Sequence, residues 1–154
     1  MLAALFALLA PPPAAPLLTL GARAGQSVTL AVDYPAQDVL LNREAPNLLR
    51  LSTPWQTVEA KPSGTVHPDP ALADYFGKVN PLLLRVTIPA NTKSGAYAAK
   101  LSAQLFVCDK GQRTCIKRDQ TFLLTISVGP KNTALPVQWL RLRASDLRPP
   151  TLRR

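Results

Sequence analysis

Residues 95–128, "GAYAAKLSAQLFVCDKGQRTCIKRDQTFLLTISV", decide the fold. Successive side chains on a β-strand point to opposite faces. In the first half of this stretch Tyr97, Leu101, Leu105 and Val107 fall on one face and Lys100, Ser102 and Gln104 on the other. In the second half Phe122, Leu124, Ile126 and Val128 stand against Thr121, Thr125 and Ser127. Alternation of this kind marks a sheet with one face in a core and the other in water. Between the halves lie Cys108 and Cys115, the 2 cysteines of the chain, around a Lys110-Gly111 turn signal. The pattern predicts an antiparallel hairpin with a cysteine on each arm, near its tip.

The period of two recurs outside the hairpin. "QSVTLAVDY" puts Val28, Leu30 and Val32 on one side, and "LLLRVTIP" puts Leu82, Leu84, Val86 and Ile88 opposite Arg85 and Thr87, with Pro81 and Pro89 closing its ends. "DVLLN" and "NLLRLSTP" are shorter strand candidates bounded by turn residues. Short strands separated by turns, in a chain of 154 residues with 16 prolines and 7 glycines, predict one all-β domain over residues 17–130, a sandwich or a barrel. The segment from Lys61 to Pro81 has no sustained period and reads as a long loop with one short helical turn at "PALADYF". It nevertheless carries Tyr75 and Phe76, which a disordered loop has little reason to keep.

After Val128 the alternation stops, and residues 131–154 read as a basic, Pro/Arg-rich tail in which "VQWLRLR" can add an edge strand or dock by Trp139. Lys131, Arg141, Arg143, Arg148, Arg153 and Arg154 lie there, opposed only by Asp146, and supply much of the net charge of +9. The charge is sparse, interrupted by proline and free of the aromatic interleaving of a base-stacking surface, so a solvated tail is expected and no nucleic-acid partner. At the other end, "MLAALFALLAPPPAAP" (residues 1–16) resembles the apolar and cleavage regions of a secretory signal, without a Lys or Arg before the apolar run. That run, Leu2 to Ala10, is too short to span a bilayer, and no span is expected in the mature chain. Export would take the cysteines into an oxidising compartment, periplasmic or otherwise extracytoplasmic, where a disulfide persists.

Two chemistries are open to the pair. Directly opposed residues on paired strands have Cβ atoms roughly 4.5 to 5.5 Å apart, close to disulfide geometry, so the cysteines can staple the hairpin. A ring this short removes only about 2.5 kcal/mol of unfolded-chain entropy. Alternatively, Lys110, Arg113, Lys117 and Arg118 surround the sulfurs with positive charge, which favours thiolate and hence exchange. Other chemistries lack their groups. His67 is the only histidine and Met1 the only methionine, too few for a metal site, and "SGTVHPD" is too weak a pattern to seat a Ser-His-Asp triad. Neither metal nor cofactor is expected.

"YAAKLSAQLFVCDKGQRTCIKRDQTFLLTISV" together with "DYFGKVNPLLLRVTIP" resembles the N-terminal periplasmic domain of the thiol:disulfide interchange protein DsbD family. The resemblance covers residues from about Leu17 to Val128. It departs from the family in the six residues between the cysteines, where five are typical, and in Ile116-Lys117, where the family has Tyr-Pro. It implies an immunoglobulin-like sandwich whose Cys108 and Cys115 exchange disulfides with thioredoxin-like partners, electrons arriving from a membrane-embedded donor. It also implies that Asp74, Tyr75 and Phe76 form a cap over the pair, with Tyr75 where the family has its shielding Phe. The expectation is an exported, monomeric thiol-disulfide exchange module. The alternative is a non-catalytic binding or structural sandwich with a hairpin staple.

Overall fold

The computed structural model describes residues 18–109, 114–130 and 137–147. It is an all-β sandwich, as the alternation predicts. The larger sheet runs β1 (Leu18–Ala22), β10 (Thr114–Val128), β9 (Gly95–Asp109), β4 (Leu48–Ser52) and β5 (Thr57–Ala60), with β3 (Val39–Leu41) also paired to β9. The smaller sheet runs β11 (Val137–Arg141), β2 (Ser27–Asp33) and β8 (Leu82–Thr87). Most ladders are antiparallel, while β1 on β10 and β11 on β2 are parallel.

The quoted stretch forms the longest ladder. β9 and β10 stay in register from Asp109 opposite Thr114 to Gly95 opposite Val128. Leu101, Leu105 and Val107 of β9 and Leu124, Ile126 and Val128 of β10 are buried, and Val28, Leu30, Val32, Leu84 and Val86 of the smaller sheet meet them in one cluster. Tyr97 shares the inward face at the rim, where its ring lies 5.0 Å from that of Trp55 and its hydroxyl donates to the Lys93 carbonyl at 2.6 Å. The polar positions between them face water, as a one-sided sheet requires.

β3 and β4 lie end to end along the same edge of β9. Val39–Leu41 pair with Val107–Asp109, and Leu48–Ser52 pair with Lys100–Gln104. Residues 42–47, "NREAPN", leave the sheet between them, and Asn47 pins the excursion. Buried at 4% exposure, its Oδ1 accepts from the Phe106 N–H (2.8 Å), and its Nδ2 donates to the Asn42 carbonyl (2.6 Å) and more weakly to that of Ala45 (3.3 Å). Asn42 in turn uses its Oδ1 to accept from the N–H groups of Glu44 and Ala45, an Asx-type turn.

Two expectations need correction. The segment from Lys61 to Pro81 is no plain loop: β6 (Gly64–Val66) and β7 (Phe76–Val79) pair as a small hairpin, and the helical turn is a 3-10 turn at Pro70–Leu72. β6 is exposed throughout, so no hydrophobic period betrays it. Its glycines instead allow the strands to touch, since a Cβ on Gly64 would overlap the Lys78 carbonyl oxygen and one on Gly77 would lie 2.8 Å from the Val66 carbonyl oxygen.

The domain also does not end near residue 130. β11 adds an edge strand to β2, and a helical turn, α1 (Ala144–Leu147), follows it. Leu140, Leu142 and Leu147 enter the core, while Trp139 points outward at 54% exposure, the reverse of docking by the tryptophan. The signal-like residues 1–16, Lys131 and the arginines at 148, 153 and 154 lie outside the described residues. Among those described, no helix is long and apolar enough to cross a membrane.

Candidate functional site

Cys108 and Cys115 are directly opposed in the β9–β10 ladder and joined by a disulfide. Odd-numbered residues of β9 face the core, so even-numbered Cys108 lies on the outer face of the large sheet. Its burial, at 6% exposure, therefore comes from outside the sandwich. Leu40, opposite it in the β3 ladder and 4% exposed, lies beside it. Cys115, on the other arm of the hairpin, is exposed. The two sulfurs thus stand in unequal surroundings.

The cover is Tyr75. Its hydroxyl oxygen lies 3.2 Å from Cys108 Sγ and 3.8 Å from Cys115 Sγ. A disulfide sulfur carries no proton, so the phenol is the donor in both contacts. Two hollows flank the ring, both reaching both cysteines. One of about 240 Å³ is lined by Asn42, Ala45, Phe106 and Lys117, and one of about 510 Å³ by Leu40, Asp69, Leu72 and Asp109.

The cap is fixed by backbone contacts. At the tip Asp69 accepts from the Ala71 N–H through its carboxylate (3.0 Å) and from the Leu72 N–H through its carbonyl (2.9 Å), and the Tyr75 N–H donates to the Leu72 carbonyl (3.0 Å). The Tyr75 carbonyl accepts from His67 N–H at 2.9 Å, and Asn42 and Tyr75 form a β-bridge. Arg43 ties the cap to the 42–47 excursion, its N–H donating to the Asp74 carbonyl (2.8 Å) and its guanidinium to the Ala73 carbonyl (3.0 Å). The chain of support runs from β9 through Asn47 and Asn42 to Tyr75.

The expected site residues therefore divide. Tyr75 is over the disulfide. Asp74 is exposed and contributes its carbonyl, and Phe76, 6% exposed, belongs to the core cluster, where it anchors β7. Lys117 shares the Cys115 face two residues on and stands 3.8 Å from Asp119, both exposed. Arg118 faces the other way, donating to the Asp146 carbonyl at 3.4 Å, so it does not join the charge around the sulfurs. Lys110 and Arg113 lie outside the described residues. Sequence reasoning missed Leu40, Asn42, Arg43 and Asn47. "NREAPN" reads as a turn from its Asn and Pro residues, but a turn signal says nothing of what the turn supports.

Among the described residues no group of three or more His, Cys, Asp or Glu side chains stands together. Compared with protein-family models and with curated proteins, the chain matches none.

Proposed function

We propose that the chain is an exported thiol-disulfide exchange module of the DsbD N-terminal type, passing electrons through Cys108 and Cys115 to or from a thioredoxin-like partner. The observation that carries this reading is the Tyr75 hydroxyl placed on the buried sulfur of a disulfide whose other cysteine is exposed.

A partner thiolate attacks the exposed Cys115 Sγ. A partner–Cys115 disulfide forms, the Cys108–Cys115 bond breaks, and the bonding electron pair leaves on Cys108 Sγ as thiolate. The hydroxyl 3.2 Å away donates to that charge, and a hydrogen bond to the charged form favours it. The partner's second thiolate then attacks the partner sulfur of the mixed disulfide and releases Cys115 as thiolate. The partner is oxidised by two electrons and this chain is reduced. In the reverse direction Cys115 attacks the partner's disulfide and Cys108 resolves the intermediate. Tyr75 covers the bond from outside, so exchange requires the cap to shift.

The burial of Cys108 beside Leu40 also fits a second reading, a disulfide that only braces the hairpin. The reduction potential separates the two. A value above about −300 mV, with reduction by a thioredoxin-like dithiol, fits exchange, and a lower value with resistance to such reductants refutes it. Cys108→Ala should trap a partner on Cys115. Tyr75→Ala should speed reduction of the disulfide, and an unchanged rate rules out shielding.

A further inference from the structure

Among the described residues the exposed large apolar side chains are Val66, Leu83, Leu123, Val137 and Trp139, and three of these five share one surface. Trp139 of β11 stands opposite Ala31 of β2, and Ala31 opposite Leu83 of β8. One residue pair along, Val137 stands opposite Thr29, and Thr29 opposite Arg85. With Val28, Leu30 and Val32 in the core, this is the outer face of the small sheet. Trp139 and Leu83 are two strand spacings apart, roughly 10 Å. Leu83 is 60%, Trp139 54% and Val137 39% exposed, whereas Ala31 between the first two is fully covered. Arg85 and Arg141 are exposed on the same face, with Asp33 opposite Arg141.

We infer that this face is a docking surface for an anionic lipid bilayer. Tryptophan beside aliphatic side chains suits the headgroup boundary, where an amphipathic ring has one part apolar and one part wet. Arg85 and Arg141 on the same face meet lipid phosphates. A second copy is a poorer occupant. Three apolar side chains fall short of the roughly 800 Å² per partner of a stable interface. A modest apolar contact combined with basic residues is instead the two-signal arrangement of a peripheral membrane protein. The disulfide lies on the outer face of the opposite sheet, so docking leaves it directed away from the bilayer.

The test is co-sedimentation of the full chain with phosphatidylglycerol-containing vesicles, beside pure phosphatidylcholine vesicles, in a Trp55→Phe background that leaves Trp139 as the sole indole. Expected are binding to the anionic vesicles, weakening with salt, and a blue shift of Trp139 emission. Arg85→Gln and Arg141→Gln should each weaken binding about fivefold. Trp139→Ala, at an exposed position, should weaken it on the order of tenfold. Binding with unchanged Trp139 emission would mean contact through another segment, such as the apolar run from Leu2 to Ala10, and overturns the proposal. Equal binding to both vesicle types overturns it, as does no binding to either. Concentration-dependent dimerisation abolished by Trp139→Ala, without vesicle binding, would assign the face to a second copy instead.

Discussion

Reducing the Cys108–Cys115 disulfide should weaken the fold only slightly. The bond closes a ring of eight residues, with a sequence separation of 7. In the chain-entropy account such a ring stabilises by about 2.5 kcal/mol, all of it through the unfolded state. On the folded side, β9 and β10 stay paired over the fifteen positions from Asp109–Thr114 to Gly95–Val128. Leu101, Leu105, Leu124 and Ile126 fasten both strands to the core without help from the sulfurs. Domains have about 5–15 kcal/mol of stability, so the reduced chain should remain folded. The assay is urea unfolding of the oxidised and reduced forms, read as midpoint and slope. The same free energy must appear in a redox titration. By the thermodynamic cycle, the folded domain's reduction potential should lie about 50 mV below that of its unfolded chain, at roughly 30 mV per 1.4 kcal/mol. A stability loss above about 5 kcal/mol, or cooperative unfolding on reduction, would refute the reasoning and mark the bond as a brace. A potential difference that disagrees with the unfolding data would refute the entropic account of its size.

Three further outcomes are expected. Asn47→Ala removes a buried side chain and leaves the part-buried Phe106 N–H without its acceptor, freeing the 42–47 excursion, so it should cost about 1–3 kcal/mol in chemical unfolding and also speed reduction of the disulfide by loosening the support of Tyr75. Leu147→Ala, at a fully buried position beyond the boundary expected from sequence, should cost about 2–5 kcal/mol, whereas a tail residue would cost nothing measurable. The Tyr34 hydroxyl is buried without a partner, so Tyr34→Phe should stabilise by about 1 kcal/mol. Burial pushes the Tyr34 phenol well above its usual range, so folding favours the protonated form. The folded state then holds a proton that the unfolded state releases above pH about 10, and wild type should lose up to about 1.4 kcal/mol per pH unit more than Tyr34→Phe as pH rises beyond that value. Parallel stability curves for the two proteins through that window would refute it.

What was legible in the sequence follows from where each signal originates. The hairpin was legible because half of its residues are buried and half wet, and that contrast is written as hydrophobic alternation. The opposition of Cys108 and Cys115 followed from the hairpin register. The β6–β7 hairpin was opaque because its definition rests on backbone contacts at Gly64 and Gly77, which leave no hydrophobic period. β11 was legible as an edge strand in "VQWLRLR", but which of its faces turns inward was not. In "VQWLRLR" the bulkiest residue, Trp139, invites a reading with the indole inside, yet the parallel register on β2 sends Leu140 and Leu142 inward and the indole to solvent. Composition cannot choose between those phases, because each places apolar side chains on both faces.

The same distinction explains how this disulfide can sit outside the packing of a well-packed domain. β9 and β10 derive their hold on the sandwich from inward residues, so the outward Cys108 is free of any packing duty toward the core. Its protection comes from a separate, small structure, the β6–β7 cap, which meets the main body through the burial of Phe76 and Val79 and through backbone bonds to residues 42 and 43. Opening that cap far enough to uncover the disulfide requires breaking the Arg43–Asp74 and Asn42–Tyr75 contacts while Phe76 stays seated. That local motion is less costly than unfolding a sheet strand, since it exposes little apolar surface. A rate of disulfide reduction that tracks Asn47→Ala more strongly than Leu147→Ala, at matched loss of global stability, is the signature of that local route. Equal acceleration by both would place the reaction in the globally unfolded chain.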